Sequence, residues 1–206
     1  MQRKKLFKDY LQPIFIAVLI ALFIRTFIVQ AFKIPSGSME PTLLVGDYLL
    51  VNKFLYGIKI PYTDVKFLQF KKPQRGDAIV FIFPLDPSKD FIKRVIGTEG
   101  EKVEIIRNKI YINDKLIDDP WGHFVIDDFP RSFLQRMENF GPVVVPKDSL
   151  FVMGDNRDNS EDSRFWGFVN VNAVLGKAFI IYFSWNGNAE NFLNTVRWSR
   201  IGKLIH

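Results

Sequence analysis

Short apolar runs separated by turn-forming residues make up most of the chain after residue 33. The runs are rich in Val, Ile, Leu and Phe, and Gly, Pro and Asp lie between them. Segments of this kind are typical of β-strands. They occupy residues 48–51, 78–83, 91–96, 103–106, 110–112, 143–145, 150–153 and 178–183. Many short strands with no alternating helices predict a mainly β fold with antiparallel pairing, either barrel-like or sandwich-like.

One longer apolar segment, residues 11–32, precedes these strands. Residues 14–24 carry no polar side chain, and Arg25, Thr26 and Gln30 interrupt the remainder. A helix needs about 20 residues to cross the core of a bilayer, so the segment predicts a transmembrane anchor. A buried helix of a soluble domain is the alternative, and the lack of a polar face disfavours it.

The charges on the two sides of this segment predict its orientation. Four basic residues precede it: Arg3, Lys4, Lys5 and Lys8. The positive-inside rule then places residues 1–10 in the cytoplasm and residues 33–206 outside. A cleavable signal peptide is the competing interpretation, because residues 29–31 resemble a small-x-small cleavage site. An ordinary signal-peptide apolar region is shorter than this one, which favours an uncleaved anchor.

Composition excludes several functional classes. The net charge of +6 suggests nucleic-acid binding, but +4 lies in the first 32 residues, and the body carries only +2. A nucleic-acid-binding domain is expected to carry its excess positive charge on the folded body. The chain has no cysteine, and its two histidines are His123 and His206. Thiolate metal sites and a zinc held by three histidines are therefore excluded, and we expect neither a metal nor a cofactor.

A serine-containing loop follows directly on the apolar segment. Ser36, Gly37 and Ser38 lie between Pro35 and Pro41. Glycine lets a backbone approach a ligand closely or take a positive φ, and prolines restrict motion. Composition alone also allows this stretch to be a linker between anchor and domain.

A lysine interrupts the predicted strand 91–96. With a period of two, Lys93 shares a face with Phe91 and Val95. Burial among apolar side chains disfavours the ammonium form, and a neutral amine can act as a general base. A strand-edge lysine that reaches water is the alternative, and Lys53 and Lys177 have similarly apolar neighbours. Periodicity does not choose among the three lysines.

A third unusual stretch, residues 153–164, is rich in Asp, Asn and Arg. Its spacing loosely resembles a calcium-binding loop, but the central glycine and the final glutamate of such a loop are missing. Alternating acids and arginines can instead pair with one another and hold the loop in place. Since the chain has no cysteine and few histidines, an activated serine would need another base, and serine–lysine dyads are an established solution.

Together these stretches resemble the bacterial type I signal peptidases. The resemblance covers most of the chain in order: an apolar N-terminal segment, PSGSMEPTL at residues 35–43, RGD at 75–77, KRVIG at 93–97 and GDNRDNSEDSR at 154–164. It implies a membrane anchor at 11–32 and an extracytoplasmic β peptidase domain at 33–206. An inserted, more variable lobe is expected at about 104–146.

The resemblance also implies a role for individual residues. Ser38 would be the nucleophile and Lys93 its general base, with the lysine amine oriented by a hydrogen bond from Ser160. The backbone N–H of Ser38 and the hydroxyl of Ser36 would form the oxyanion hole. The remaining implied residues are a supporting ion pair, Asp162 with Arg164, and the lining of the substrate pockets, Phe32, Ile34 and Ile92.

The activity so implied is cleavage of signal peptides from exported preproteins by a single-pass enzyme of the bacterial inner membrane. Its partners would be preproteins and the lipid bilayer, with no nucleic acid or metal. A membrane-anchored binding or scaffold module without catalysis is the alternative, and a self-cleaving repressor would need a DNA-binding domain for which no segment before Ser38 is suited. Residues 29–31 are a possible self-cleavage site, which the predicted membrane helix would protect.

Overall fold

The computed structural model describes residues 10–59, 66–67, 70–124, 138–187, 189 and 195–206. The basic residues at positions 3, 4, 5 and 8 and part of the predicted lobe, residues 125–137, lie outside these ranges.

A seven-stranded antiparallel sheet forms the main body, with the strand order β1-β2-β13-β5-β6-β11-β12. Its strands are β1 Val29–Lys33, β2 Asp47–Asn52, β5 Ala78–Ile82, β6 Asp90–Thr98, β11 Ser149–Met153, β12 Val169–Asn170 and β13 Val174–Ser184. Strand β13 pairs with both β2 and β5, and β6 pairs with both β5 and β11. The prediction of a mainly β, antiparallel fold is confirmed.

A four-stranded sheet with the order β10-β7-β8-β9 lies within the chain region of the predicted lobe. Its strands are β7 Lys102–Ile106, β8 Lys109–Ile112, β9 Lys115–Leu116 and β10 Phe140–Val144. Arg107 and Asn108 both have positive φ, the conformation of the two-residue hairpin turns that match strand twist. A short hairpin, β3 Ile58–Lys59 with β4 Lys66–Phe67, lies apart from both sheets.

Three clusters of buried apolar side chains form the core. The first packs Met39 and Leu43, from the loop after β1, against Leu49, Val51 and Ile181 of the main sheet. The second lies around β5, β6 and β11. The third joins the two sheets, because Ile96 and Phe151 of the main sheet pack with side chains of β7 and β8.

The N-terminal apolar segment is divided between a helix and a strand. Helix α1 spans Gln12–Phe27, contains no buried residue, and exposes large apolar side chains all round. Among the described residues, no helix has the combination of length and apolar character required to cross a bilayer. The prediction of one continuous helix over residues 11–32 is therefore wrong in its extent.

Strand β1 accounts for the difference. Its five residues pair in register with β2, from Val29 opposite Asn52 to Lys33 opposite Tyr48. This pairing satisfies the backbone N–H and C=O groups that a helix would otherwise satisfy internally. Residues 29–31, the possible self-cleavage site, thus lie in a paired strand and not in a helix. Phe32 and Ile34 pack on the first core cluster.

Candidate active site

The loop between β1 and β2 holds Ser38. Met39 and Leu43 are fully buried on either side of Pro41, and they fix the loop to the first core cluster. Hydrogen bonds between Ile34 and residues 46 and 47 close the base of the loop. Ser38 is half-buried, whereas Ser36 is exposed. Gly37 has no positive φ, so of its two possible roles only the close approach of the backbone to a ligand remains. A Cβ on Gly37 would meet the flexible Glu40 carboxylate at 3.1 Å.

Lys93 reaches this serine from the neighbouring strand β6. Its side chain is only 3% exposed, and its Nζ donates a hydrogen bond of 2.6 Å to the Oγ of Ser38. Burial lowers the pKa of the Lys93 amine to about 8, with Asp162 opposing the shift and Arg164 adding to it. A large fraction of the amine is therefore neutral at slightly alkaline pH, which is the state that can accept a proton.

The other two candidate lysines lie in different surroundings. Lys177 forms an ion pair with Asp77 at 2.5 Å. Burial also lowers the pKa of Lys53, but the described residues that line the pocket around Ser38 do not include Lys53 or Lys177. The geometry therefore distinguishes Lys93 from both alternatives.

The polar loop after β11 closes the site from the other side. Asp162 caps the short helix α2, Ser163–Trp166, and binds Arg164 through two hydrogen bonds of 2.8 Å. The same carboxylate accepts the N–H of Gly154 at 3.1 Å. All three residues are buried, so this pair orders the loop instead of being screened by water.

Ser160 lies in this loop and lines the same pocket as Ser38 and Lys93. Its Oγ is buried and has no hydrogen-bond partner among the described residues, so the hydrogen bond expected between Ser160 and Lys93 is not made. The Lys93 amine is directed at the Ser38 hydroxyl instead. Gly154 packs tightly beside both serines: a Cβ there would lie 2.2 Å from the Ser160 Oγ and 2.4 Å from the Ser38 carbonyl oxygen.

An open pocket of about 530 Å³ adjoins the two serines and the lysine. Phe32, Ile34 and Ile92 contribute apolar surface to it, as do Phe91 and Val80. Its lining also includes the acidic residues Asp90, Asp158 and Glu161 and, besides Lys93, the basic residue Lys33. A pocket that is mainly apolar with a few polar groups in its lining is typical of a ligand-binding site.

Sequence reasoning missed a second buried ion pair next to the dyad. Arg94, which follows Lys93, binds Asp155 through two hydrogen bonds of 2.7 Å, and both side chains are fully buried. Asn156 also bridges to the serine loop, through its N–H to the Ser38 carbonyl and its side chain to the Gly37 carbonyl. The alternation of side chains along a strand could have indicated this pair. It places Arg94 on the opposite face of the strand from Lys93, and a charge on a buried strand needs a partner.

A serine hydroxyl that faces a buried lysine amine in the lining of an apolar pocket is the geometry used by serine–lysine hydrolases. The profile of the family described as "Signal peptidase, peptidase S26" matches residues 7–185. The chain therefore belongs to the signal peptidase family.

The sequences of two bacterial signal peptidases agree with this assignment. The signal peptidase I of Pseudomonas aeruginosa is 36% identical over 238 residues, which cover 100% of this chain and 82% of the relative. That of Aquifex aeolicus is 36% identical over 83% of this chain and 82% of the relative. A crystal structure of a signal peptidase I from Enterococcus faecalis is 32% identical and covers 52% of this chain and 97% of that one, with a TM-score of 0.41.

Proposed function

We propose that this enzyme removes signal peptides from exported preproteins with Ser38 as nucleophile and Lys93 as general base. The observation that supports this assignment most directly is the 2.6 Å hydrogen bond from the buried Lys93 amine to the Ser38 hydroxyl. It joins a nucleophile to a base whose pKa is lowered by burial, which is the requirement for serine activation without histidine.

The reaction follows from this geometry. The neutral Lys93 amine takes the hydroxyl proton while the Ser38 Oγ attacks the scissile carbonyl carbon. The tetrahedral intermediate collapses, the peptide C–N bond breaks, and the Lys93 ammonium returns its proton to the leaving amine. A water molecule then gives a proton to Lys93 and attacks the ester carbonyl carbon. The ester C–O bond breaks, and the Lys93 ammonium returns the proton to the Ser38 Oγ, which restores both residues.

The developing oxyanion needs two donors. The Ser38 N–H has no backbone acceptor among the described residues, so it is available to bind the oxyanion. The exposed Ser36 hydroxyl lies in the same loop and lines the same pocket, and it would supply the second donor. Asp162 and Arg164 would act indirectly, by holding the loop that carries Ser160 against the dyad.

The substrate would bind in an extended form beside β1, the edge strand of the main sheet. Phe32, Ile34 and Ile92 line the pocket that would receive its side chains. Because this surface is apolar and lies close to Ser38, we expect small apolar side chains to be preferred at the first and third positions before the cut.

Membrane attachment would come from α1 and the residues before it. The helix exposes apolar side chains on all sides, a property expected of a segment in lipid and costly in water. Its 16 residues rise about 24 Å at about 1.5 Å each. The body, residues 33–206, would face outside the bacterial inner membrane, with residues 1–10 in the cytoplasm and the bilayer as a partner. Ser38 lies shortly after β1, so the site would be held near the lipid surface.

The test is cleavage of a preprotein by the full chain in detergent, with the new N-terminus identified by mass spectrometry. We expect one cut after the signal peptide, loss of cleavage in Ser38→Ala, and covalent labelling of Ser38 by a serine-acylating inhibitor. A Ser38→Ala enzyme that still makes this cut would refute the assignment. A wild-type chain that binds the preprotein without cutting it would indicate the binding-module alternative.

A further inference from the structure

The segment after β9 lies directly against the polar loop that borders the site. The N–H of His123 donates to the carbonyl of Asp155 at 2.7 Å, and the N–H of Arg157 donates to the carbonyl of His123 at 2.8 Å. His123 thereby forms a parallel bridge with Asn156. Residues 119–124 thus lie along the loop, with a turn at 120–121 and a single bridge at His123, and we call these residues the clasp.

Asp119 provides the strongest contact between the clasp and the loop. Its carboxylate binds both terminal nitrogens of Arg157, one of them at 2.7 Å. The Arg157 side chain is 1% exposed and that of Asp119 is 15% exposed, so little solvent screens the pair. The backbone folds tightly around it, because a Cβ on Gly122 would lie within 2.7 Å of both side chains.

Arg157 connects this contact to the site. Its Nε donates to the Gly154 carbonyl at 3.1 Å, and its own carbonyl accepts from Arg164 at 2.6 Å. Gly154 is the residue that packs against both Ser160 and Ser38, and Arg164 is the partner of Asp162. The position of the loop relative to the dyad therefore depends on the arginine that Asp119 holds.

The clasp makes a second contact, with the arginine that follows Lys93. The guanidinium of Arg94 lies over the ring of Trp121, with 4.6 Å between the Arg94 Cζ and the ring centroid. Arg94 is next to Lys93 and forms the buried pair with Asp155. The clasp consequently contacts two buried arginines, Arg157 and Arg94.

We propose that Asp119 is a positioning residue of the peptidase reaction, which holds Arg157 so that the loop carrying Ser160 stays packed against Ser38 and Lys93. The proposal rests on the dyad assigned above. Loss of the Asp119 charge would leave a buried guanidinium without its counter-ion, and the loop would have to move to let water reach it. Water would then reach the Lys93 amine as well.

The test compares Asp119→Asn with Asp118→Asn in the full chain, on one preprotein peptide. Asp118 is the exposed neighbour, so its variant makes the same change of charge without a buried partner. For Asp119→Asn we expect kcat to fall by about tenfold or more and KM to change by less than about threefold, because Asp119 does not line the pocket. The midpoint of the pH–rate profile should move to higher pH as the Lys93 amine becomes hydrated.

A parallel change in both aspartate variants, or a fall in kcat with an unchanged pH midpoint, would overturn the proposal. If Asp119→Asn does not fold, Asp119→Glu takes the same test, since it keeps the charge and displaces the carboxylate. Ser38→Ala in the same assay distinguishes a failure of the Ser38–Lys93 assignment from a failure of the role proposed for Asp119. Retained cleavage in Ser38→Ala refutes the dyad, whereas its loss together with a wild-type-like Asp119→Asn refutes only the role of Asp119.

Discussion

At the scale of single residues, the proposed mechanism makes the activity depend on the protonation of Lys93. Burial lowers the pKa of its amine to about 8, and only the neutral form has the lone pair that accepts the serine proton. Below that pKa kcat/KM should rise about tenfold per pH unit, and above it the rate should level off. A pH–rate profile on a preprotein peptide measures this directly. A midpoint near the ordinary lysine value would contradict the lowered pKa of the Lys93 amine.

Substitution distinguishes Lys93 from the other lysines. Lys93→Arg should be inactive, because a guanidinium does not give up its proton near neutral pH. Lys177→Arg is the matched control, since an arginine can keep the ion pair with Asp77. An active Lys93→Arg enzyme, or an inactive Lys177→Arg enzyme, would contradict the assignment of the base.

Ser36 tests the oxyanion hole. Its hydroxyl is exposed at the pocket, so removing it should leave the fold intact. Because the donor acts mainly on the transition state, Ser36→Ala should lower kcat by about 10²–10³ with little change in KM. Ser36→Thr should keep partial activity, and Ser199→Ala, at an exposed serine that does not line the pocket, is the control. A kcat for Ser36→Ala within a few-fold of wild type would identify Ser36 as a linker residue.

At the scale of elements, hydrophobic patterning predicted the strands well but failed where the N-terminal helix meets the sheet. The runs at 78–83, 91–96 and 103–106 correspond to β5, β6 and β7, because Gly, Pro and Asp separate them clearly. No such residue separates α1 from β1, and both segments are apolar. The change from helix to strand depends on pairing with β2, a partner that local sequence does not reveal.

The end of β11 gives a sharp prediction at this scale. Gly154 is where the strand leads into the polar loop, and a Cβ there would lie 2.2 Å from the Ser160 Oγ. Gly154→Ala should therefore displace the loop from Ser38, with a fall in both kcat and thermal stability. Gly187→Ala is the control, because a Cβ at Gly187 would meet nothing within 4 Å. Wild-type kcat in Gly154→Ala would show that the loop is free to move without loss of function.

At the scale of the whole molecule, the site combines residues that lie far apart in sequence. Ser38 and Lys93 are 55 residues apart, and Arg94 and Asp155 are 61 apart. Period and composition identified the stretches that contain them but left three lysines as candidates, and the family resemblance selected Lys93. Nothing in the sequence pattern indicated the contact of Asp119 with Arg157. An aspartate is common in a turn-rich stretch, and its partner is determined by the tertiary fold.

The proposed attachment to the membrane is a property of the whole molecule, since it determines where the site meets its substrate. Leu19 lies near the middle of α1, where a charge in lipid costs about 2.5–3.5 kcal/mol. Leu19→Lys should consequently move part of the protein from the membrane fraction to the soluble fraction. Leu85→Lys, at an exposed leucine of the body, should leave the distribution unchanged.

The same proposal fixes the orientation of the chain. Protease added to intact spheroplasts should digest residues 33–206, because that part would face outside, and should spare a tag placed before residue 1. Since the positive-inside rule depends on the basic residues before α1, replacing all four with glutamine should reduce the fraction of correctly oriented chains. Protection of the body in intact spheroplasts, with digestion only after lysis, would reverse the orientation. It would also separate Ser38 from the side of the membrane on which an exported preprotein is cleaved.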